Sequence, residues 1–356
     1  MSSAHGASFS ARSEAAATDP APAPATRVAI CVCTFRRRRG LDRLLAGLAD
    51  LEFRRTARPE IVVVVVDNDL APSAEPVVDE WRPRFPWRLD FRHEPRRGLV
   101  WARNACLEAV PETADWIAFI DDDEWPEVQW LDELLAVARC QHAEIVGGPV
   151  RPRFAAPVPG WIERGGFFEI GPYRDGTPTT FIATNNALVS AAAVRRHGWR
   201  FLPVFNLTGG EDQHFFLRAV EQGCRAVTAG GAVVWETVAP DRTNLRWLLR
   251  RKFRMGTTLA TIDLLRSNGG RRVKLRRAGK AAGRVALGCC QLPLALPEGK
   301  AGLAKALGNA AWGLGSFAGL LGVRYQEYAP RPGEAGGPGP SPGPDSAGGA
   351  AERSAR

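Results

Sequence analysis

Ile61-Val-Val-Val-Val-Val66, closed by Asp67-Asn68-Asp69, is the stretch that decides how this chain folds. An unbroken run of β-branched residues leaves no polar face. It predicts a strand covered on both sides, as in parallel sheets sandwiched by helices. Upstream, residues 27–33 form a second apolar run, and Leu41, Leu44, Leu45 and Leu48 recur at helical spacing over 40–51. Downstream, the pattern predicts a helix over 74–81, an edge-like strand over 88–91, a helix over 99–110 and a strand over 116–120. A helix over 128–140 and a strand over 143–150 follow. Strands alternating with helices predict an α/β fold with a doubly wound, mostly parallel sheet flanked by helices.

The acidic residues fall where such sheets bind ligands, beyond the carboxyl ends of the strands. The run 61–66 ends in Asp67-Asn68-Asp69, and the strand over 116–120 ends in Asp121-Asp122-Asp123-Glu124. Adjacent aspartates are costly to hold together unless a cation or solvent compensates them. In an extended chain Asp121 and Asp123 point the same way. Hard oxygen ligands without nearby His or Cys suit Mg²⁺ or Mn²⁺ completed by a substrate's phosphates. The same residues also suit a solvated turn that caps the next helix. Farther on, the expected strand over 181–190 carries Asn185 and Asn186, whose amides each offer a donor and an acceptor to sugar hydroxyls. Thr208-Gly-Gly-Glu-Asp-Gln213 leads into a helix beginning near Asp212, which places a carboxylate at a helix start behind two glycines. A plain N-cap is the alternative there.

Composition narrows the class. The 356 residues are 45% hydrophobic and 24% charged, which excludes a fully disordered or collagen-like chain. No Gly-x-Gly-x-x-Gly follows the first strand and no phosphate-binding P-loop motif occurs, so a dinucleotide fold and a P-loop NTPase are disfavoured. The seven cysteines show no zinc spacing, and their odd number without a secretory signal points to a reducing compartment. They read as small buried apolar residues. Residues 1–26 read as a disordered leader, 27–242 as the catalytic domain, 243–328 as a basic and apolar helical appendage, and 329–356 as a disordered Gly/Pro-rich tail.

In their order along the chain these stretches resemble the motifs of family 2 glycosyltransferases, whose core is the GT-A fold. The likeness is strongest to bacterial enzymes that extend lipid-linked repeat units of exopolysaccharides such as succinoglycan. It rests on Val28-Ala-Ile-Cys-Val-Cys-Thr-Phe-Arg36, Val64-Val-Val-Asp-Asn-Asp69, Gly98-Leu-Val-Trp-Ala-Arg-Asn104 and Ala118-Phe-Ile-Asp-Asp-Asp-Glu124. Thr184-Asn-Asn186, Gly209-Gly-Glu-Asp212 and Arg251-Lys-Phe-Arg-Met-Gly256 continue it. The resemblance implies a nucleotide-sugar donor, in the first instance a UDP-sugar, with Thr34 and Arg36 lining the nucleotide pocket. Asp67 would then contact the base or ribose, and Arg103 and Asn104 would help hold that part of the pocket. Asp121 and Asp123 resemble the family's Asp-x-Asp element, the second binding the metal and the first steadying the sugar nucleotide. Asp212 matches the catalytic base, with Glu211 beside it, and the implied reaction inverts the anomeric configuration. Relatives commonly carry a metal-completing His after the last core strand. This chain has Val234-Trp235-Glu236 there, so Glu236 becomes the candidate third oxygen ligand. The basic helix has Arg246-Trp247 without the Gln pattern of processive synthases, which implies transfer of one sugar per encounter.

The net charge of +9 is concentrated: residues 246–280 hold 12 Lys plus Arg against the single acid Asp263. This strip precedes two apolar stretches, 281–297 and 301–323, that are rich in Gly and Ala and interrupted by charges. Interfacial or shallowly inserted helices on the cytoplasmic face of the inner membrane are expected, since attraction to anionic lipid is worth about 1 kcal/mol per Lys or Arg near the surface. A soluble helical hairpin packed on the catalytic domain is the alternative. The expected partners are the donor, a lipid-linked saccharide acceptor and the membrane surface, with no nucleic acid. The rival functions are a sugar-nucleotide pyrophosphorylase, a basic nucleic-acid-binding protein and a non-catalytic scaffold.

Overall fold

The computed structural model describes residues 25–169, 171 and 173–325. The expected tail over 329–356 and nearly all of the expected leader lie outside the described residues. Two sheets and a helical unit make up the rest. The main sheet takes β1 (Arg27–Thr34), β2 (Glu60–Asp67), β3 (Arg88–His93), β4 (Trp116–Ile120), β6 (Ile145–Gly147), β8 (Asn186–Ser190) and β9 (Ala226–Thr228) in the order β3-β2-β1-β4-β8-β6-β9. Its strands pair in parallel except β8, which runs antiparallel to both β4 and β6. A smaller sheet, β5-β10-β7, joins β5 (Glu124–Pro126), β7 (Val150–Phe154) and β10 (Val234–Val238).

The β2 run shows why the sheet needs helices on both faces. Ile61, Val63 and Val65 pack with Leu41, Leu44, Leu45 and Leu48 of α1 (Arg38–Ala49), with α2 (Glu75–Trp81) and with α4 (Trp130–Cys140). Val62, Val64 and Val66 face the other way, onto α3 (Leu99–Ala109), α6 (Ala191–His197) and α7 (Glu211–Glu221). Alternate residues of one strand thus feed two separate cores, the period-2 rule in a doubly covered strand.

Three sequence expectations need correction. The single strand over 143–150 is two strands in different sheets, β6 and β7, separated at Gly148-Pro149. A Cβ on Gly148 would lie 2.3 Å from the Ala232 carbonyl oxygen, so the chain crosses between sheets where only glycine fits. Only residues 186–190 of the stretch 181–190 pair, and they pair antiparallel. The cysteines are not uniformly buried: Cys140, Cys289 and Cys290 are exposed.

After a short α5 (Gly160–Gly165) and the strands above, the chain ends in three long helices, α8 (Leu245–Arg266), α9 (Arg271–Leu294) and α10 (Gly299–Leu320). Asn244 caps α8, its side-chain oxygen accepting from the Trp247 N–H at 3.0 Å. Ile262 of α8 joins the second core, which anchors the helical unit on the main sheet's domain. Close backbone approach joins α8 to α10. A Cβ at Gly315 would meet the Phe253 carbonyl oxygen at 2.0 Å, and one at Gly256 would meet that of Trp312 at 2.2 Å. Among the described residues no helix is long and apolar enough to cross a membrane.

Candidate active site

The site is assembled at the carboxyl ends of β1, β2 and β4. After Asp121 the chain makes a tight turn, the Glu124 N–H donating to the Asp121 carbonyl at 3.2 Å, and burial alternates residue by residue as far as Pro126. Asp122 and Glu124 turn inward, at 3% and 1% exposure. Asp121 and Asp123 turn to the crevice, with 35% and 24% of their side chains exposed. The Thr34 hydroxyl donates to Asp122 Oδ2 at 2.8 Å, and Arg37 Nη1 lies 2.7 Å from Asp122 Oδ1 and 3.0 Å from Asp123 Oδ2. Burial pushes Asp122 up to about 6, against the pull of Arg37. Thr34 therefore anchors the acidic turn from below.

Glu124 is the inner carboxyl of the cluster. Its Oε1 accepts from Asn185 Nδ2 at 3.0 Å and its Oε2 from the Asp121 N–H at 3.0 Å. Burial first, and then Asp121, Asp123 and Glu236, push it well above the ordinary glutamate range. Glu236 stands opposite Glu124 in the β5–β10 register, and its Oε1 accepts from Arg242 at 3.0 Å. Burial and Asp123 also raise Glu236. Crowded oxygen donors with too little counter-charge are the chemistry a hard divalent cation satisfies. The expected trio of Asp121, Asp123 and Glu236 is nevertheless not gathered: among the described residues no three His, Cys, Asp or Glu side chains converge on a cation position. Arg242 holds Glu236 instead. Asp121 and Asp123 fit a partial shell that a donor's phosphates would complete.

Asp212 reaches the crevice through two glycines in the left-handed region, Gly209 (φ 73°) and Gly210 (φ 93°), which turn the chain sharply into α7. Asp212 is partly exposed, whereas Glu211 beside it is buried. Arg103 Nη1 bonds Glu211 Oε1, and Arg103 Nη2 lies 3.5 Å from Asp121 Oδ1. One buried guanidinium thus ties the helix carrying Asp212 to the strand end carrying Asp121. Glu211 Oε2 has no hydrogen-bond partner among the described residues, and burial raises the Glu211 carboxyl despite Arg103. Arg103 therefore lies between Glu211 and Asp121.

Other candidates prove to be framework. Asp67 is fully buried and accepts from the Ala74 N–H at 2.7 Å, the Asp69 N–H at 3.0 Å and the Ser73 hydroxyl at 3.3 Å. It builds the turn after β2, its carboxylate engaged by those three donors. Arg36, exposed and at φ 56°, reaches across to Asp69 Oδ2 at 2.8 Å. Asn104 clamps the Phe201 backbone, donating to its carbonyl and accepting from its N–H, each at 2.9 Å. Asn186 is buried, accepting from Trp130 Nε1 at 2.8 Å and donating to the Pro149 and Ala232 carbonyls at 3.0 and 2.8 Å. Its amide is thus engaged by protein groups and not free for sugar. Sequence reasoning missed Arg37, Glu124 and Asp69. Alternation along 121–126 signals Glu124, but nothing in Arg36-Arg37-Arg38-Arg39 marks which arginine meets the aspartates.

The Glycosyl transferase family 2 model matches residues 29–198. The chain is 33% identical over 297 residues to the succinoglycan biosynthesis protein ExoM of Rhizobium meliloti, covering 83% of this chain and 94% of that protein. Among solved structures it resembles the mannosyltransferase PcManGT of Pyrobaculum calidifontis, solved with GDP-Man and Mn²⁺. That match has a TM-score of 0.52 and 20% identity, over 85% of this chain and 89% of the other. It also matches S. aureus TarS 1–349, with a TM-score of 0.47 and 18% identity, over 85% and 93% of the two chains. A GT-A sheet with acidic strand ends, and 33% identity to ExoM along nearly all of its length, together make this chain a member of glycosyltransferase family 2.

Proposed function

We propose that this chain is an inverting, divalent-cation-dependent transferase that moves one sugar from a UDP-sugar to a saccharide acceptor. The acceptor in this reading is a lipid-linked exopolysaccharide intermediate at the cytoplasmic membrane face. The observation that carries the reading is the Arg103 bridge, which sets the Asp212 helix against the Asp121 strand end in one crevice. Asp212 accepts the proton of the acceptor hydroxyl as that oxygen attacks the anomeric carbon from the face opposite the diphosphate. General-base help of this kind is typically worth about 10²–10⁴-fold. Asp121 and Asp123 would hold Mg²⁺ or Mn²⁺, which when bound neutralises the departing diphosphate. Arg37, Thr34 and Asn185 keep the acidic turn in shape, so their role is orientation. A single displacement turns an α-linked donor into a β-linked product. The likeness to a succinoglycan biosynthesis protein supports an exopolysaccharide acceptor. Family membership displaces the pyrophosphorylase alternative.

Peripheral membrane placement is supported by exposed side chains of the last three helices and the α9–α10 connection, among them Leu275, Leu294, Leu296 and Leu314. The test compares sugar transfer with Mn²⁺ or Mg²⁺ for wild type, Asp123→Ala and Asp212→Asn. Turnover of both variants at the wild-type rate would contradict the reading and favour a scaffold or a nucleic-acid binder.

A further inference from the structure

Helices α8, α9 and α10 line an open cavity of about 510 Å³ whose walls include Leu259, Arg277, Lys280, Arg284, Leu287 and Trp312. Three of these are cationic, and none of the lining residues described is acidic. Arg277 leans on Asp263 at 2.8 Å, and Arg284 donates to Asn309 Oδ1 at 2.7 Å. Lys280 is exposed and has no carboxylate partner among the described residues. The guanidinium of Arg284 lies 4.1 Å from the centre of the Trp312 ring, and the ammonium of Lys252 lies 5.4 Å from it. Burial, with Arg251 and Arg284 nearby, holds Lys252 below its ordinary range. Cations gathered with so little counter-charge are costly to keep together unless an anion joins them.

Apolar groups line the cavity beside these cations: Leu259, the Trp312 ring on which Arg284 lies, and Leu287, 45% exposed and one turn beyond Arg284 on α9. A charged end beside an apolar wall is the pattern of an amphiphile site, not of a site for a free ion. Through α8 the cavity is also joined to the catalytic turn. A Cβ on Gly210 would meet Thr258 Cγ2 at 2.1 Å, and Leu259 is the next residue along the helix.

We infer that this cavity binds the phosphate head and first chain segment of an anionic membrane lipid, the phosphate on Arg277, Lys280 and Arg284 and the chain along Leu259, Leu287 and Trp312. The inference deepens the peripheral-membrane part of the proposed function, rests on it for access to lipid, and is independent of the transfer chemistry. Occupancy would set the face of α8 against the bilayer and hold the Gly210–Asp212 turn at a fixed height above it.

The test titrates the full-length protein with soluble dihexanoyl phosphatidate, dihexanoyl phosphatidylcholine and inorganic phosphate, followed by calorimetry. Phosphatidate is expected to bind one per chain and at least about tenfold more tightly than either of the others. The double variant Lys280→Glu with Arg284→Gln is expected to weaken it about tenfold or more, in line with the worth of each basic residue near anionic lipid. Arg271→Glu with Arg272→Glu, exposed at the start of α9 and outside the cavity, is expected to change it by less than about twofold. Leu287→Glu is a second arm at a half-exposed position, expected to abolish the preference for phosphatidate over inorganic phosphate while leaving the melting temperature unchanged. Equal affinity for phosphatidate and inorganic phosphate would overturn the inference, as would equal weakening by the two double variants. Vesicle flotation, scored separately, reports on membrane placement. Flotation without phosphatidate binding would sink the cavity and spare the placement; phosphatidate binding without flotation would do the reverse.

Discussion

Residues 27–238 and the helices from Leu245 onward bury surface by different means. The catalytic domain packs large side chains, Trp130, Trp199, Phe201 and Phe215 among them, against both faces of one sheet, and exposes few large apolar groups. The helical unit packs backbone on backbone through Gly256, Gly315 and Gly319, leaving leucines on the outside. Charge divides the same way, with an acidic crevice at the strand ends and a basic strip along α8 and α9. A domain that buries its bulk inward needs no surface to lean on. Helices that meet through glycines turn their large side chains outward, where a bilayer can take them.

The first way to break this division is at the base. Asp212→Asn should cost about 10²–10⁴-fold in transfer rate while leaving thermal unfolding and vesicle binding unchanged. The second removes the bridge. Arg103→Gln strands Glu211 in the core and should cost about 3–5 kcal/mol in denaturant unfolding. Pairing it with Glu211→Gln should restore much of that loss, which a merely bulky contact would not do.

A smaller effect is expected at Asp132, whose carboxylate accepts the N–H groups of Arg54, Arg55 and Thr56 at 2.7–2.8 Å. Asp132→Asn should cost about 1–3 kcal/mol at neutral pH. Burial raises this carboxyl, but those bonds outweigh it and hold it below the usual range. The stability it contributes is therefore present above the unfolded value of about 3.9 and lost as pH falls through the lower folded value. The gap between wild type and variant should close in acid. A gap that holds steady through pH 2 would contradict the assignment. The smallest effect sharpens the contrast from the other side. Leu294→Ser with Leu296→Ser, both exposed, should change stability by no more than about 0.5 kcal/mol while lowering vesicle partitioning several-fold.

Much of this was legible in the chain. The β2 run and the strand over 116–120 announced a doubly covered sheet, and the position of Asp121 and Asp123 after a buried strand placed the crevice. What could not be read was which polar groups the protein spends on itself. Asn186 and Asp67 offer the same chemistry to a ligand as to a backbone amide, and only tertiary placement shows Pro149, Ala232 and Ala74 claiming them. The antiparallel β8 escaped for a related reason, since an apolar run carries no mark of its direction. Likewise Arg37 pairs with Asp122 and Arg103 with Glu211, 85 and 108 residues away, beyond any local pattern.

In the proposed mechanism the Asp212 and Asp121 groups form one inverting site. The most direct test is proton NMR of the glycosidic linkage made from an α-linked UDP-sugar by wild type and by Asp212→Asn. A β-linked product formed by wild type and nearly absent with the variant is the predicted result. An α-linked product, or a β-linked product made equally fast without the Asp212 carboxylate, would contradict it.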